Sequence, residues 1–278
     1  MTPSHPSDVF VGTTLVFAPH MDDCVLGCGG TLAGLPDRSG VHMVYVTDGS
    51  RSPAPELPWR DEVTASLRAV REGEARAAMA FLGLPPENVH FLGLPDGRLR
   101  SVLPRLHEVM DALVERLRPE VVLAPFRFDR HPDHLAVHAA ATWLLDHRRS
   151  PRRLLEFFVN SRWNLLPGRD VRRYLAPDRM MEIDLSDVAA TKRAALEMFR
   201  SQTTRYFSWQ SRPVLDEALL ERVCREPERF LMHDPEQPGV RALTSARLWI
   251  PIAHRLEPLL TKPKDRALAI WRRSSWSL

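Results

Sequence analysis

Two short segments of the chain concentrate imidazole and carboxylate side chains at close spacing. They are residues 20–24, which read HMDDC, and residues 129–134, which read DRHPDH. Two imidazoles and one carboxylate with an open coordination position are the usual ligands of a catalytic zinc ion, which lowers the pKa of bound water to about 7. Residues able to supply this set are His20, Asp23 and His134. Asp22 then remains a free carboxylate, placed to take a proton from water.

The elements that position these segments follow from hydrophobic patterns. Short apolar runs rich in branched and aromatic residues predict buried strands over 13–18, 41–46, 88–92, 121–125, 154–159 and 180–185. Apolar residues at helical spacing predict helices over 61–82, 101–119, 133–147 and 186–200. After Ser201 the pattern blurs, and recurring prolines predict helical turns and irregular chain packed on the outside over the last fifty residues.

Strands that alternate with helices predict a Rossmann-like α/β fold, with a mainly parallel sheet and helices on both faces. Ligands bind such sheets beyond the carboxyl ends of the strands. The segments that follow the first four predicted strands are 19–24, 48–50, 93–97 and 126–134, and they hold most of the candidate histidines and carboxylates. We therefore expect one active site at this edge of the sheet.

The charge distribution separates the chain into a body and a tail. We expect a Rossmann-like domain over residues 1–200 and an extension over 201–278 packed on the same domain. Residues 240–278 hold eight basic and two acidic residues, so this tail carries +6, whereas the net charge of +3 leaves −3 for the remainder. An acidic body excludes a nucleic-acid partner there. Tryptophans in the tail leave two interpretations open, peripheral contact with an anionic membrane surface or a solvated basic edge.

Composition also bears on the compartment. No apolar run approaches the roughly 18 residues that a membrane helix needs, and the first residues lack a signal-peptide pattern. Three cysteines, Cys24, Cys28 and Cys224, are too few for a disulfide framework. These features predict a cytoplasmic protein without a transmembrane segment, and they leave its oligomeric state undetermined.

Longer stretches around the two segments carry a family resemblance. Residues 20–30, HMDDCVLGCGG, resemble the His-Pro-Asp-Asp-Glu signature of the LmbE-like, or PIG-L, N-acetylglucosaminyl deacetylase family, and HPDH at 131–134 resembles its second motif. The resemblance continues through 46–49, 71–75 and 91–97, with a looser match over 192–202. It implies removal of an acetyl group from an N-acetylated amino sugar or glycoconjugate, which gives acetate and a free amine.

The resemblance also implies roles for individual residues. The implied ligands of a divalent ion, usually Zn²⁺ with Fe²⁺ as an alternative, are His20, Asp23 and His134. Asp22 is the implied general base, His131 the group that stabilises the tetrahedral oxyanion, and Asp133 a residue that orients a histidine. Arg71 and Asp96 match positions that contact the sugar in relatives.

The sequence departs from the family pattern at three positions. Met21 replaces the proline of the first motif, and Cys24 replaces its glutamate, which puts the support of the metal ligands in question. Asp129 stands where some relatives have a tyrosine that assists with the carbonyl, and we group it with the substrate-binding residues.

Other interpretations of the same residues remain open. Asp22 and Asp23 could cap a helix, and His138, one turn after His134, could be a fourth ligand or a helix-packing residue. Glycines at 27, 29 and 30 superficially suggest the phosphate loop of an NAD(P)-dependent oxidoreductase. A non-catalytic sugar-binding module and an amidase for a larger sugar-amide conjugate are the remaining alternatives.

Overall fold

The computed structural model of the chain describes residues 4–53, 61–127, 129, 131–159, 164–166, 169–170, 177–208, 210 and 212–233. Its strands are β1 (Thr14–Ala18), β2 (Val41–Thr47), β3 (Val89–Leu94), β4 (Val121–Pro125), β5 (Arg153–Phe157), β6 (Asn164–Leu166), β7 (Arg169–Asp170), β8 (Met180–Ile183) and β9 (Glu228–Met232). Its α-helices are α1 (Pro6–Val9), α2 (Asp23–Ala33), α3 (Asp61–Phe81), α4 (Leu103–Leu117), α5 (Pro132–His147), α6 (Ala189–Glu197), α7 (Arg200–Thr203) and α8 (Glu217–Arg225).

Seven of these strands form one sheet in the order β3-β2-β1-β4-β5-β9-β8. The first five pair in parallel, whereas β9 runs antiparallel to both β5 and β8. The predicted α/β fold with a mainly parallel sheet is confirmed. The chain passes from β1 to β2 on one side and later returns to β4 on the other side of β1, so a topological switch point lies between β1 and β4.

Side chains of the central strand alternate between two apolar cores. Leu15 and Phe17 of β1 pack with residues of α4 and α5 in one core. Val16 and Ala18 pack with residues of α2, α3, α6 and α8 in the other. This period of two follows from strand geometry, and it confirms that helices cover both faces of the sheet.

By contact, the chain divides into two compact units. The first comprises residues 1–161 and 177–236, and it contains the seven-stranded sheet. The second comprises residues 162–176 and 237–278, and its described residues form an antiparallel pair of strands, β6 and β7. The basic tail over 240–278 lies outside the described residues. Within the described part of the chain, each helix is too short or too polar to cross a membrane.

The strand β9 corrects the prediction of helical turns and irregular chain over the last fifty residues, because it forms there and joins the sheet. The helix α8 forms just before it, where the sequence pattern was blurred. The strand begins with Glu228, a charged residue that is 4% exposed. Lys192 Nζ lies 2.7 Å from its Oε1 atom and compensates its charge. A charge at a buried strand position hides the pattern that predicts a strand, which explains why the sequence pattern missed it.

Candidate functional site

Two loops meet at the switch point of the sheet and carry both predicted motifs. One loop follows β1 and leads into α2, and the other follows β4 and leads into α5. A cavity of about 450 Å³ opens at this edge. The predicted site residues that line it are His20, Asp22, Asp23, Arg71, Asp96, Asp129, His131 and His134. Residues far apart in sequence are therefore brought together at the edge where the topology predicts a site.

Three buried atoms with lone pairs converge beside this cavity. His20 Nδ1 lies 3.1 Å from Asp23 Oδ2 and 3.3 Å from His134 Nε2. His134 Nε2 lies 3.2 Å from the same Asp23 oxygen. The three predicted metal ligands thus form a nearly equilateral triangle of two nitrogens and one oxygen.

This triangle fits a small divalent ion. Tetrahedral bonds of 2.0 to 2.2 Å place neighbouring ligand atoms about 3.4 Å apart, close to the three separations observed. His20 and His131 also group with His134 as histidines whose nitrogens lie within 4.8 Å of one another. The donor set and its spacing therefore suit a metal centre with two imidazoles and one carboxylate.

The remaining ring nitrogens of His20 and His134 face carboxylates. His20 Nε2 lies 3.3 Å from Asp96 Oδ1 and 3.5 Å from Asp133 Oδ2. His134 Nδ1 lies 3.1 Å from Asp129 Oδ2. These are ion-pair distances, although neither nitrogen makes a hydrogen bond of good angular geometry. Carboxylates behind metal-binding histidines fix the ring orientation and strengthen the ligands.

The buried charges of the triangle depend on one another. Burial lowers the pKa of His134, but the Asp23 and Asp129 carboxylates outweigh it and raise the pKa to about 10. Burial raises the pKa of Asp23, but the two histidines outweigh it and hold the pKa well below its usual range. Asp23 is therefore an anion that favours positive charge at its neighbours, which a metal cation supplies.

The side chain of Asp22 does not cap helix α2. The residue occupies the N-cap position of α2, yet its side chain makes no capping hydrogen bond. Its Oδ1 atom accepts a hydrogen bond of 2.9 Å from Arg71 Nη2 of α3. Burial raises the pKa of Asp22, while the Arg71 cation opposes that rise. The capping interpretation therefore does not hold for Asp22, and its carboxylate is held at the cavity by a buried arginine.

His131 has a defined tautomer when neutral. It caps the start of α5, where its Nδ1 atom accepts a hydrogen bond of 3.2 Å from the Asp133 backbone N–H. A backbone N–H can only donate, so Nδ1 carries the lone pair and Nε2 carries the proton. Burial, His20 and His134 all lower the pKa of His131, to about 4. The ring is therefore a neutral Nε2–H donor at the cavity.

The other predicted residues take distinct places. Asp133 does not line the cavity; its oxygens accept hydrogen bonds of 2.7 Å from the Gly97 N–H and 3.0 Å from the Leu99 N–H. It thereby fastens the loop after β3 to the start of α5. Asp96 accepts a hydrogen bond of 2.9 Å from the Arg51 N–H and faces His20, and Asp129 faces His134. Both carboxylates thus line the cavity and also contact a candidate ligand.

The glycines after the first motif serve packing rather than phosphate binding. They lie inside α2 instead of in the loop before it. A Cβ atom on Gly27 would lie 2.3 Å from the Phe157 ring, and one on Gly30 would lie 2.5 Å from Leu185. A phosphate loop places its glycines between strand and helix. The structure therefore does not support the dinucleotide interpretation.

Cys24, which stands in place of the motif glutamate, is buried beneath the first loop. Its Sγ atom lies 3.3 Å from Tyr45 Oη and 3.7 Å from the Met21 carbonyl oxygen. Burial raises the pKa of the Cys24 thiol to about 12. The thiol thus fills a core position as a neutral group, and the loop keeps its histidine and carboxylates in place.

A second polar cluster was missed by sequence reasoning. His138 lies with Glu156 and His233, and its Nδ1 atom is 3.1 Å from the Pro125 carbonyl oxygen. Arg127 donates hydrogen bonds to the Glu156 carboxylate from its backbone N–H, at 3.0 Å, and from its guanidinium. The signal for it was a glutamate inside a predicted buried strand. The cluster anchors the start of the loop that carries Asp129 and His131.

Comparisons with known proteins match the part of the chain that carries the two motifs. The family model described as PIG-L, GlcNAc-PI de-N-acetylase, matches residues 15–145. A diacetylchitobiose deacetylase of Thermococcus kodakarensis is 36% identical over 134 residues, which are 45% of this chain and 45% of the relative, so the match spans less than half of that protein. A 1D-myo-inositol 2-acetamido-2-deoxy-alpha-D-glucopyranoside deacetylase of Saccharomonospora viridis is 28% identical over 229 residues, 66% of this chain and 83% of the relative.

A solved structure shares the fold. The N,N'-diacetylchitobiose deacetylase of Pyrococcus horikoshii superposes with a TM-score of 0.55 at 22% identity, over 84% of this chain and 86% of that chain. The family match spans β1 to α5 and includes both motifs at the switch point. The resemblance expected from the two motifs is confirmed over residues 15–145, a family match that covers slightly less than half of the chain.

Proposed function

We propose that this protein is a divalent-metal-dependent hydrolase that removes the acetyl group from an N-acetylated amino sugar or glycoconjugate. The observation that carries the proposal is the convergence of His20 Nδ1, Asp23 Oδ2 and His134 Nε2 within 3.1 to 3.3 Å of one another. Asp22, a carboxylate outside the triangle, and His131, a neutral donor, line the same cavity. Relatives named as deacetylases of N-acetyl sugars support the choice of reaction.

The proposed ion is Zn²⁺, with Fe²⁺ as the alternative. When bound by His20, Asp23 and His134, such an ion supplies Lewis acidity toward an amide oxygen and lowers the pKa of water. Two nitrogens and one oxygen suit either metal, since imidazole is a good ligand of both. Asp96 and Asp133 lie beside the second ring nitrogen of His20, and Asp129 lies beside that of His134. These carboxylates would orient the two rings toward the ion.

Two side chains of the protein have separate roles in the proposed reaction: Asp22 transfers the proton, and His131 stabilises the negative charge. Asp22 accepts the proton of the attacking water, because its carboxylate lines the cavity and Arg71 fixes its orientation. His131 donates a hydrogen bond from its Nε2–H to the oxyanion that forms as the carbonyl carbon becomes tetrahedral, and it keeps its proton. Asp22 then returns the proton to the departing amine, so acetate and a free amine leave. One group thus serves first as base and then as acid.

The sugar is proposed to lie on the side of the cavity formed after β2 and β3. Asp96 and Arg51 lie there and offer charged partners for hydroxyl groups. Arg71 is 1% exposed and committed to Asp22 and the Gly49 carbonyl oxygen, so we assign it to orienting the base. Asp129 is assigned to orienting His134, with which it pairs.

The cellular location proposed is the cytoplasm. The three cysteines are buried and unpaired with one another. Free thiols persist in a reducing compartment, where disulfides are rare. The partner proposed is the small-molecule or glycoconjugate substrate.

Acetate release across a panel of N-acetyl amino sugars tests the proposal. The panel holds free, nucleotide-linked, inositol-linked and antibiotic-attached forms, each assayed with protein loaded with Zn²⁺ or Fe²⁺. Release from at least one form is expected, together with a stoichiometric free amine. If the loaded protein binds the sugars but releases no acetate from any, it is a sugar-binding module and the proposal is wrong. Release of a larger acid from a sugar amide, without acetate, would favour the amidase alternative.

A further inference from the structure

Gln202 is a buried glutamine that contacts the residues lining the cavity without lining it itself. It lies on the short helix α7 and is 0% exposed. Its Oε1 atom accepts a hydrogen bond of 2.9 Å from Ser52 Oγ, and its Nε2 atom donates one of 3.1 Å to the Ser52 carbonyl oxygen. The side-chain amide of Gln202 therefore holds both the side chain and the backbone of Ser52, a residue of the loop after β2.

The backbone of Gln202 holds a second segment of the cavity lining. Its carbonyl oxygen accepts hydrogen bonds from the N–H groups of Val214, at 2.8 Å, and Leu215, at 2.9 Å. These two residues precede α8, and they line the cavity together with Ser52. The loop after β2 and the segment before α8 therefore lie next to each other at the cavity, joined through Gln202.

The loop after β2 has another attachment beside Ser52. The Arg51 N–H donates a hydrogen bond of 2.9 Å to Asp96 Oδ2, and Asp96 Oδ1 lies 3.3 Å from Nε2 of the candidate ligand His20. Arg51 and Ser52 both line the cavity. The first attachment holds the backbone at Arg51, and the position of the Ser52 side chain depends on Gln202.

The groups assigned to the chemical step are held by other contacts. Arg71 holds Asp22, and the backbone N–H of Asp133 bonds to His131. Gln202 Nε2 also donates to Ser201 Oγ at 2.9 Å, but Ser201 has two hydrogen bonds of its own, each of 2.7 Å, to Glu74 of α3. Removing the Gln202 amide therefore leaves α3 and the reacting groups attached.

We infer that Gln202 is a positioning residue for substrate binding, which holds the loop after β2 and the segment before α8 together as one side of the cavity. The inference rests on the proposed function and adds a residue that this function does not yet include. Side chains that are ordered before a substrate arrives need not be ordered by it, and this increases affinity. Gln202 therefore acts on binding rather than on the chemical step.

The variant Gln202→Met separates these two effects. Methionine keeps the length of the side chain and the backbone carbonyl group, but it loses both hydrogen bonds to Ser52. For an N-acetyl sugar that the wild type hydrolyses, we expect KM to rise about tenfold, equal to about 1.4 kcal/mol, with kcat close to that of the wild type. A change confined to KM marks an interaction that contributes equally to the binding of substrate and transition state.

Asn88→Leu is the matched control. Asn88 is a buried amide, 6% exposed, whose Nδ2 atom donates hydrogen bonds of 2.8 and 3.0 Å to the Ser39 and Val41 carbonyl oxygens. It precedes β3, at the edge of the parallel sheet opposite to the cavity. This substitution also removes a buried amide with two hydrogen bonds to one region of the chain, but KM and kcat should keep their wild-type values.

Amide hydrogen exchange of the Zn²⁺-loaded protein without substrate measures the positioning directly. We expect peptides that cover residues 48–52 to exchange faster in Gln202→Met than in the wild type, because the loop has lost an attachment. Ser52→Ala is a smaller change at a half-buried position, and it serves if Gln202→Met does not fold. It removes one of the two bonds, so exchange should also be faster and KM about threefold higher, the effect of one neutral hydrogen bond.

The outcomes separate this inference from the function on which it rests. An unchanged KM in Gln202→Met while the wild type releases acetate overturns the inference and leaves the proposed function standing; for an unfolded Gln202→Met, an unchanged KM in Ser52→Ala does the same. A rise in KM for Ser52→Ala without faster exchange also overturns it, because Ser52 would then act only by touching the substrate. So does an equal rise in KM for Asn88→Leu. If the wild type neither binds nor hydrolyses any sugar, the proposed function is wrong and the inference falls with it.

Discussion

Arg71 Nη2 donates a hydrogen bond of 2.9 Å to Asp22 Oδ1, across a separation of 49 residues in the sequence. The arginine is 1% exposed and also donates to the Gly49 carbonyl oxygen at 3.2 Å. It therefore links α3 to the loops after β1 and β2. This contact gives Asp22 one orientation at the cavity and opposes the rise in pKa that burial causes.

Replacing Arg71 is expected to impair turnover more than metal binding. In Arg71→Met, Asp22 loses its charged partner, so its pKa rises further and its carboxylate loses its orientation. We expect kcat for acetate release to fall about 100-fold, the lower range for general base catalysis. Metal content, measured by atomic emission, stays near one equivalent. Arg68→Met is the control, because Arg68 pairs with Glu72 on the exposed face of α3; equal losses in both variants would contradict the role of Arg71.

The buried ion pair of Lys192 and Glu228 is expected to stabilise the fold. Lys192 Nζ also donates to the Leu26 and Val223 carbonyl oxygens, and Glu228 accepts the N–H groups of Gly30 and Thr31. Lys192→Met leaves a buried carboxylate without its cation, so the free energy of unfolding in urea should fall by about 3 to 5 kcal/mol.

A neighbouring exposed ion pair supplies the control for Lys192. Arg193 pairs with Glu217, whose side chain is 65% exposed. Arg193→Met is expected to cost about 1 kcal/mol or less. A loss for Lys192→Met no larger than that for Arg193→Met would show that the buried pair does not stabilise the fold.

The Arg127 and Glu156 pair predicts a response of stability to acid. Burial alone would raise the pKa of Glu156, but His138, His233 and Arg127 outweigh it and lower the pKa to about 2. In the unfolded chain the pKa of a glutamate is about 4.3. The stabilisation is therefore fully present above about pH 4.3 and is lost as the pH falls toward about 2; a difference of this size corresponds to about 3 kcal/mol.

Urea unfolding between pH 7 and pH 3 measures this dependence. Glu156→Gln should be less stable at pH 7 and should lose less stability than wild type as the pH falls. His147, at the exposed end of α5, offers a titratable control outside the cluster in His147→Gln. Parallel stability curves for wild type and Glu156→Gln would contradict the low pKa of Glu156.

Most of the fold and the central residues of the site could be predicted from the sequence, because the hydrophobic pattern of each strand and helix is a local property. A run such as VVLAP at 121–125 is apolar throughout because β4 is buried on both faces. The histidines and carboxylates lie at the ends of such strands, and parallel topology alone brings those ends to one edge. The six strands and four helices predicted up to residue 200 therefore form with shifts of a few residues, whereas the short elements α1, β6 and β7 were not predicted.

What the sequence did not show depends on tertiary partners. Glu228 and Glu156 are charged residues in buried strands, and partners that the local pattern does not show, Lys192 and Arg127 among them, compensate their charges. The pairing of Asp129 with His134 and of Arg71 with Asp22 likewise depends on how loops and helices meet. Sequence patterns report which residue types are present, whereas these roles depend on which side chains they contact.

Removing the metal is expected to abolish activity and to lower stability together. Dialysis against a chelator should stop acetate release, and one equivalent of Zn²⁺ or Fe²⁺ should restore it. The unfolding midpoint, Tm, should rise on restoration, because an ion that binds only the folded state stabilises that state. His134→Ala should lose both effects, whereas wild-type activity in metal-free protein would exclude the proposed metal centre.

The most direct test of the account is acetate release by Asp22→Asn loaded with metal, on an N-acetyl sugar that the wild type hydrolyses. Asparagine keeps the size of Asp22 and a hydrogen-bond acceptor for Arg71, but it cannot take a proton from water. The account predicts about one equivalent of bound metal and acetate release at least about 100-fold slower than wild type. Near-normal release by this metal-loaded variant would contradict the assignment of Asp22 as the base.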